Sequence, residues 1–135
     1  MVLVLCCLLV SSGATAADNT FKLCITDTIL TLSAGAQSPS VLSLATPMGA
    51  SWKSQQPQQL IGKVQIDGKW VPVRWKLESL NRSQAGNAVT ATYVCIQPHL
   101  RLSWKWQARA PSGPLEHTIR IQNLENQAVV LPLQH

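Results

Sequence analysis

Apolar and polar residues alternate with period two along much of this chain, and no stretch sustains the 3.6-residue period of an amphipathic helix. The clearest alternation runs from His99 to Gln107, where Leu100, Leu102, Trp104 and Trp106 interleave with Arg101, Ser103 and Lys105. A slip of one residue would carry all four apolar groups into water, so the register is strongly specified. Beyond Pro111-Ser112-Gly113-Pro114, the residues Leu115, His117, Ile119 and Ile121 alternate with Glu116, Thr118, Arg120 and Gln122. Folding these two runs together places Trp104 opposite Ile119 and Leu102 opposite Ile121, and it also matches Arg101 to Gln122 and Lys105 to Thr118. Agreement on both faces predicts an antiparallel hairpin.

A second hairpin is predicted at Asp67-Gly68, since a two-residue type I′ turn needs positive φ at both positions. It sets Val64 opposite Val71. Leu60, Val64, Ile66, Val71, Val73, Trp75 and Leu77 then share the inner face, and Gln65, Trp70, Arg74 and Lys76 the outer one. Pro72 also points outward and has no N–H, which suits an edge. Phe21 to Leu32 reads as one or two strands and Asn87 to Ile96 as another. Ser33 to Gln59, rich in Ser, Ala, Gln and Pro, reads as a long loop with a short strand at Val41 to Leu44. Asn123 to Gln127 turns the chain into a last apolar strand, Ala128 to Gln134. The expected fold is an all-β antiparallel β-sandwich. Nothing in the sequence covers Val129-Val130-Leu131, and a bare apolar edge invites aggregation, so the sandwich is expected to be incomplete, truncated at its C-terminal end.

The N-terminus changes the picture of where the protein works. Val2 to Val10 is an unbroken apolar run that includes Cys6 and Cys7, followed by Ser11-Ser12-Gly13 and the small-x-small motif Ala14-Thr15-Ala16. Residues 1–16 thus read as a cleavable signal peptide, which implies a secreted or periplasmic protein, with 17–135 as one mature domain. The run is shorter than the ~20 apolar residues of a membrane span. No Lys or Arg precedes it, which suggests a basic segment further upstream; the alternative for the run is a buried N-terminal strand. Cleavage leaves Cys24 and Cys95, either a disulfide in an oxidising compartment or two buried thiols in apolar strands. Asn81-Arg82-Ser83 is a glycosylation sequon.

Of the 135 residues, 46% are hydrophobic and 13% charged, a composition for a folded core rather than disorder. The net charge of +5 is spread along the chain, so it argues for solubility and weak attraction to anions, not for a nucleic-acid site. Nucleic-acid surfaces interleave aromatics with basic residues, whereas Trp104 and Trp106 face away from Arg101, Lys105 and Arg120. The six acids (Asp18, Asp27, Asp67, Glu78, Glu116, Glu125) offer no evident catalytic pair. The histidines His99, His117 and His135 have no metal-ligand spacing; His117, on an apolar strand face, reads as a buried histidine with a backbone hydrogen bond. No nucleophile elbow, phosphate loop or dinucleotide fingerprint is present, so no cofactor is expected. Tryptophan is the suggestive residue type. Trp75, Trp104 and Trp106 fall on inward faces. Trp70 falls outward beside Arg74, and Trp52 lies in the long loop. Exposed indoles suit stacking on pyranose rings, with neighbouring polar groups bonding the hydroxyls; the alternative for Trp70 is packing under the loop or against another domain. Trp52, Trp70 and Arg74 are therefore the candidate carbohydrate contacts.

The run Arg101-Leu102-Ser103-Trp104-Lys105-Trp106, then Gly113-Pro114-Leu115-Glu116-His117, Ile121-Gln122-Asn123 and Val129-Val130-Leu131-Pro132-Leu133-Gln134, resembles the N-terminal β-supersandwich of α-galactosidase-like glycoside hydrolases (family 36 and its relatives). Its second half also resembles mutarotase-like sandwiches. The resemblance covers about a quarter of the chain. It implies a sandwich preceding a catalytic (β/α) barrel that carries the two catalytic aspartates. No catalytic residue transfers to this sequence. The implied partners are carbohydrate and that barrel.

Overall fold

The computed structural model describes residues 19–109 and 112–132. The apolar leader and its cleavage motif lie outside these residues. Among those described, the chain forms ten strands and no helix. Four make one antiparallel meander in the order β1-β2-β3-β4: β1 (Thr20–Cys24), β2 (Ile29–Ala34), β3 (Pro39–Ala45) and β4 (Ser51–Lys53). The hairpin of β5 (Lys63–Ile66) and β6 (Lys69–Pro72) follows. A second four-stranded sheet, ordered β10-β9-β8-β7, comprises β7 (Lys76–Arg82), β8 (Ala88–Cys95), β9 (Leu100–Ala108) and β10 (Leu115–Asn123). The fold is all-β and sandwich-like, built from antiparallel sheets that do not close into a barrel.

The alternation explains the layering. In β8 every second residue (Val89, Ala91, Tyr93, Cys95) is buried, and in β2 so are Leu30, Leu32 and Ala34. These faces join Phe21 and Leu23 of β1, Leu100, Leu102 and Trp104 of β9, Val64 of the hairpin, and Val73 and Trp75 in one apolar cluster. Burial of large side chains contributes about 1.5–3 kcal/mol each. Polar bonds tie the layers together. The Tyr93 hydroxyl donates to Gly35 O across the sandwich (3.0 Å), Leu77 N donates to Ala36 O (2.8 Å), and Arg82 donates to Thr20 O while lying over the Phe21 ring. Gly35 is needed at that crossing: a Cβ there would stand 2.7 Å from Ser38 O.

The β9–β10 register has Trp104 opposite Ile119, Leu102 opposite Ile121, Arg101 opposite Gln122 and Lys105 opposite Thr118, as the alternation requires. The β5–β6 hairpin pairs Val64 with Val71 about Asp67 (φ 48°) and Gly68 (φ 75°). Two expectations are only partly met. Ser33 to Gln59 holds more strand than expected: the short strand at Val41 to Leu44 is present within a longer β3, and the segment also carries the end of β2 and all of β4. The serines in β3 and β4 are tolerated because these strands are mostly half-covered or exposed. Of the strand expected at Ala128 to Gln134, the described residues up to Pro132 form one bridge, in which Val130 exchanges two 2.9 Å hydrogen bonds with Gln65. Residues 133–135 lie outside the described part. The turn before it forms as expected: Asn123 donates to Gln127 O and accepts from Glu125 N.

Candidate functional site

An open cleft of about 770 Å³ lies among the described residues. Three segments build it: the β2–β3 turn, the stretch between β4 and β5, and residues 73–75 after β6. The long β4–β5 connection is pinned at several points. Gln58 N donates to Pro39 O (2.8 Å), and Trp104 Nε1 donates to Gln58 Oε1 (2.8 Å). Trp75 Nε1 donates to Ile61 O (2.8 Å), and Val73 N to Gly62 O (2.9 Å). Val73 and Trp75 are buried, so the extended backbone turns Arg74 outward between them, at the cleft. The polar lining is Gln37, Ser38, Gln56, Gln58, Gln59 and Arg74; Leu60, Ile61 and the rim of Trp75 supply apolar surface. Each glutamine amide offers donors and an acceptor, as a sugar hydroxyl does. No carboxylate lines the cleft.

The three residues expected to contact carbohydrate do not converge. Arg74 lines the cleft, and Trp75 at 7% exposure is its floor rather than a stacking platform. Trp70 is 51% exposed on β6, where the Lys63 ammonium sits 4.9 Å from its ring centroid across the hairpin. Trp52 is 56% exposed on β4 and borders a different, apolar groove of about 380 Å³ with Leu44, Trp106 and Leu115. A further groove of about 310 Å³, of mixed polarity, runs over Leu102, Ile119, Ile121 and Leu131 and shares Gln58 to Ile61 with the cleft. It exists because β10 is an edge strand: Ile119 faces inward by parity yet is 45% exposed.

The cysteines correct another expectation. Cys24 and Cys95 are free, the first exposed and the second buried, so neither the disulfide nor the pair of buried thiols describes them. In β1, Phe21 and Leu23 face the core and Cys24 therefore faces out, while Cys95 faces the core from the opposite sheet. The Cys95 thiol accepts from Arg74 N and donates to Gln97 O, each at 3.4 Å, and so supports the backbone behind the cleft. His117 is likewise not buried with a backbone bond: it is exposed and stacks on Trp106, centroids 4.4 Å apart. Partial burial of the ring still lowers its pKa from the ordinary imidazole value. The Nε1 of Trp106 is buried without a hydrogen-bond partner among the described residues.

The five acids among the described residues each have a structural partner or turn. Glu78 pairs with Arg101 (3.4 Å) and Glu116 with Arg109 (2.7 Å). Asp27 accepts from Thr28, Asp67 forms its turn, and Glu125 accepts from His99 N. Among the described residues no cluster of His, Cys, Asp and Glu has the makings of a metal site. No helix among them is long and apolar enough to cross a membrane.

No family model matches the chain, and comparison with curated proteins and with solved structures also finds no match. The cleft must be interpreted from its own chemistry. Sequence reasoning found Arg74 but missed Gln37, Gln56, Gln58 and Gln59, which only the fold brings together. The one signal for the last three was the glutamine density of the stretch Gln55 to Gln59; Gln37 had none.

Proposed function

We propose that this chain is a non-catalytic β-sandwich domain of an exported glycoside hydrolase, and that it contacts carbohydrate through the cleft at Arg74. The observation that carries the proposal is the lining: four glutamines, a serine and one arginine, with no acidic residue among them. Amides and a guanidinium can bond several hydroxyls at once, whereas glycoside cleavage by the usual route needs two acids beside the bond. The export signal and the C-terminal resemblance to α-galactosidase-like enzymes support the larger assignment. An open polar cleft without an exposed indole predicts weak binding, near a Kd of about 1 mM, or about −4 kcal/mol. Titration of the purified chain with oligosaccharides by calorimetry tests this reading. Saturable heat is expected, and its loss when Gln59 and Arg74 are both replaced by alanine. Undiminished binding in that variant would refute the assignment to the cleft.

A second reading, a scaffolding contact with the catalytic barrel, is favoured by the apolar groove at Trp52. A stand-alone secreted binding or adhesion module would use the same cleft.

A further inference from the structure

The geometry points to an acidic saccharide, a pyranose carrying a carboxylate or a sulfate ester, as the ligand class of the Arg74 cleft. This deepens the carbohydrate reading above and rests on it. Among the described residues the Arg74 side chain makes no ion pair or hydrogen bond, while the ion pairs present engage Arg101 and Arg109. Its backbone, by contrast, is fixed: Arg74 N donates to the Cys95 thiol, and the flanking Val73 and Trp75 are anchored in the core. A guanidinium on a fixed backbone, at the mouth of a cleft without carboxylates, offers a planar set of donors. These match the two oxygens of a carboxylate or two of a sulfate. The amides of Gln37, Gln56 and Gln59 remain for the ring hydroxyls beside that anion. The net charge of +5 adds a weak long-range attraction of the same sign. The two exposed indoles, Trp52 and Trp70, lie outside the cleft lining, so the arrangement is not one of bases stacked beside phosphates.

The test is a titration of the whole purified chain, at low and at high salt, with three oligosaccharides of equal length: a neutral galactoside, a uronate and a sulfated galactan. Two variants accompany it, Arg74→Gln and Arg120→Gln. Both remove one positive charge; Arg120 lies on β10 and does not line the cleft. The inference predicts that at low salt one or both acidic oligomers bind about tenfold more tightly than the neutral one, the worth of one charge-assisted pair. The uronate and sulfate arms say which group supplies the anion. The advantage should disappear in Arg74→Gln, persist in Arg120→Gln and shrink at high salt. Equal affinity for acidic and neutral oligomers would overturn the inference and leave the carbohydrate reading standing. Equal losses in the two variants would also overturn it, by showing a net-charge effect. Absence of binding to all three would refute both.

Discussion

Tyr93 joins the two layers of the sandwich by one hydrogen bond, and replacing it with phenylalanine has a calculable, pH-dependent consequence. The ring is fully buried in β8 and its hydroxyl donates to Gly35 O at 3.0 Å. Phenylalanine keeps the ring and deletes that bond. Gly35 lies in an exposed turn, so its carbonyl can turn to water, and the loss near neutral pH should be about 1 kcal/mol. Burial also pushes the Tyr93 phenol from 10.0 up to about 12. A folded-state pKa raised above the unfolded one means that the unfolded chain releases its proton first, so stability falls as pH rises through this window. With those two values the tyrosine protein forfeits about 1.4 kcal/mol by pH 11 that the phenylalanine variant keeps. The variant should therefore be the less stable protein at pH 7, and the two should be about equal near pH 11. Urea unfolding followed by tryptophan fluorescence at a series of pH values measures this, with unchanged m-values as the sign that the denatured state is not affected. A stability difference that stays constant from pH 7 to pH 11 would refute the reasoning.

Two further outcomes follow from the packing. Gly35→Ala should destabilise the fold by about 1–3 kcal/mol, because its Cβ would meet a backbone oxygen, whereas Gly62→Ala, with open space around it, should stay within about 0.5 kcal/mol in the same urea assay. Alkylation of the native chain, followed by peptide mapping, should label Cys24 promptly and Cys95 only after unfolding; equal labelling would contradict their opposite orientations.

The parts of the fold legible in the sequence are those where two independent signals coincide. The β9–β10 register could be read because both the apolar and the polar faces match, and the β5–β6 hairpin because Asp67-Gly68 demands one turn type. The first sheet was only half visible. β3 and β4 are short, serine-rich and only partly covered, so their alternation is weak. The sidedness of Cys24 was available in principle: it follows Phe21 and Leu23 in strict alternation and so had to face outward. The cleft was not available, because Gln37, Gln58 and Arg74 are far apart in sequence and meet only when the β4–β5 connection is tied to Pro39, Trp75 and Trp104. The exposed indoles suggested a site, but Trp52 on β4 and Trp70 on β6 belong to different sheets.

The most direct test of the carbohydrate assignment is residue-resolved: amide chemical-shift changes in the isotope-labelled chain during titration with an oligosaccharide. The account predicts shifts that saturate and centre on Gln37, Gln56, Gln59, Gly62 and Arg74, with the side-chain amides of the glutamines among the largest. Shifts centred instead on Leu44, Trp52 and Leu115, or on the hairpin at Trp70, would contradict it.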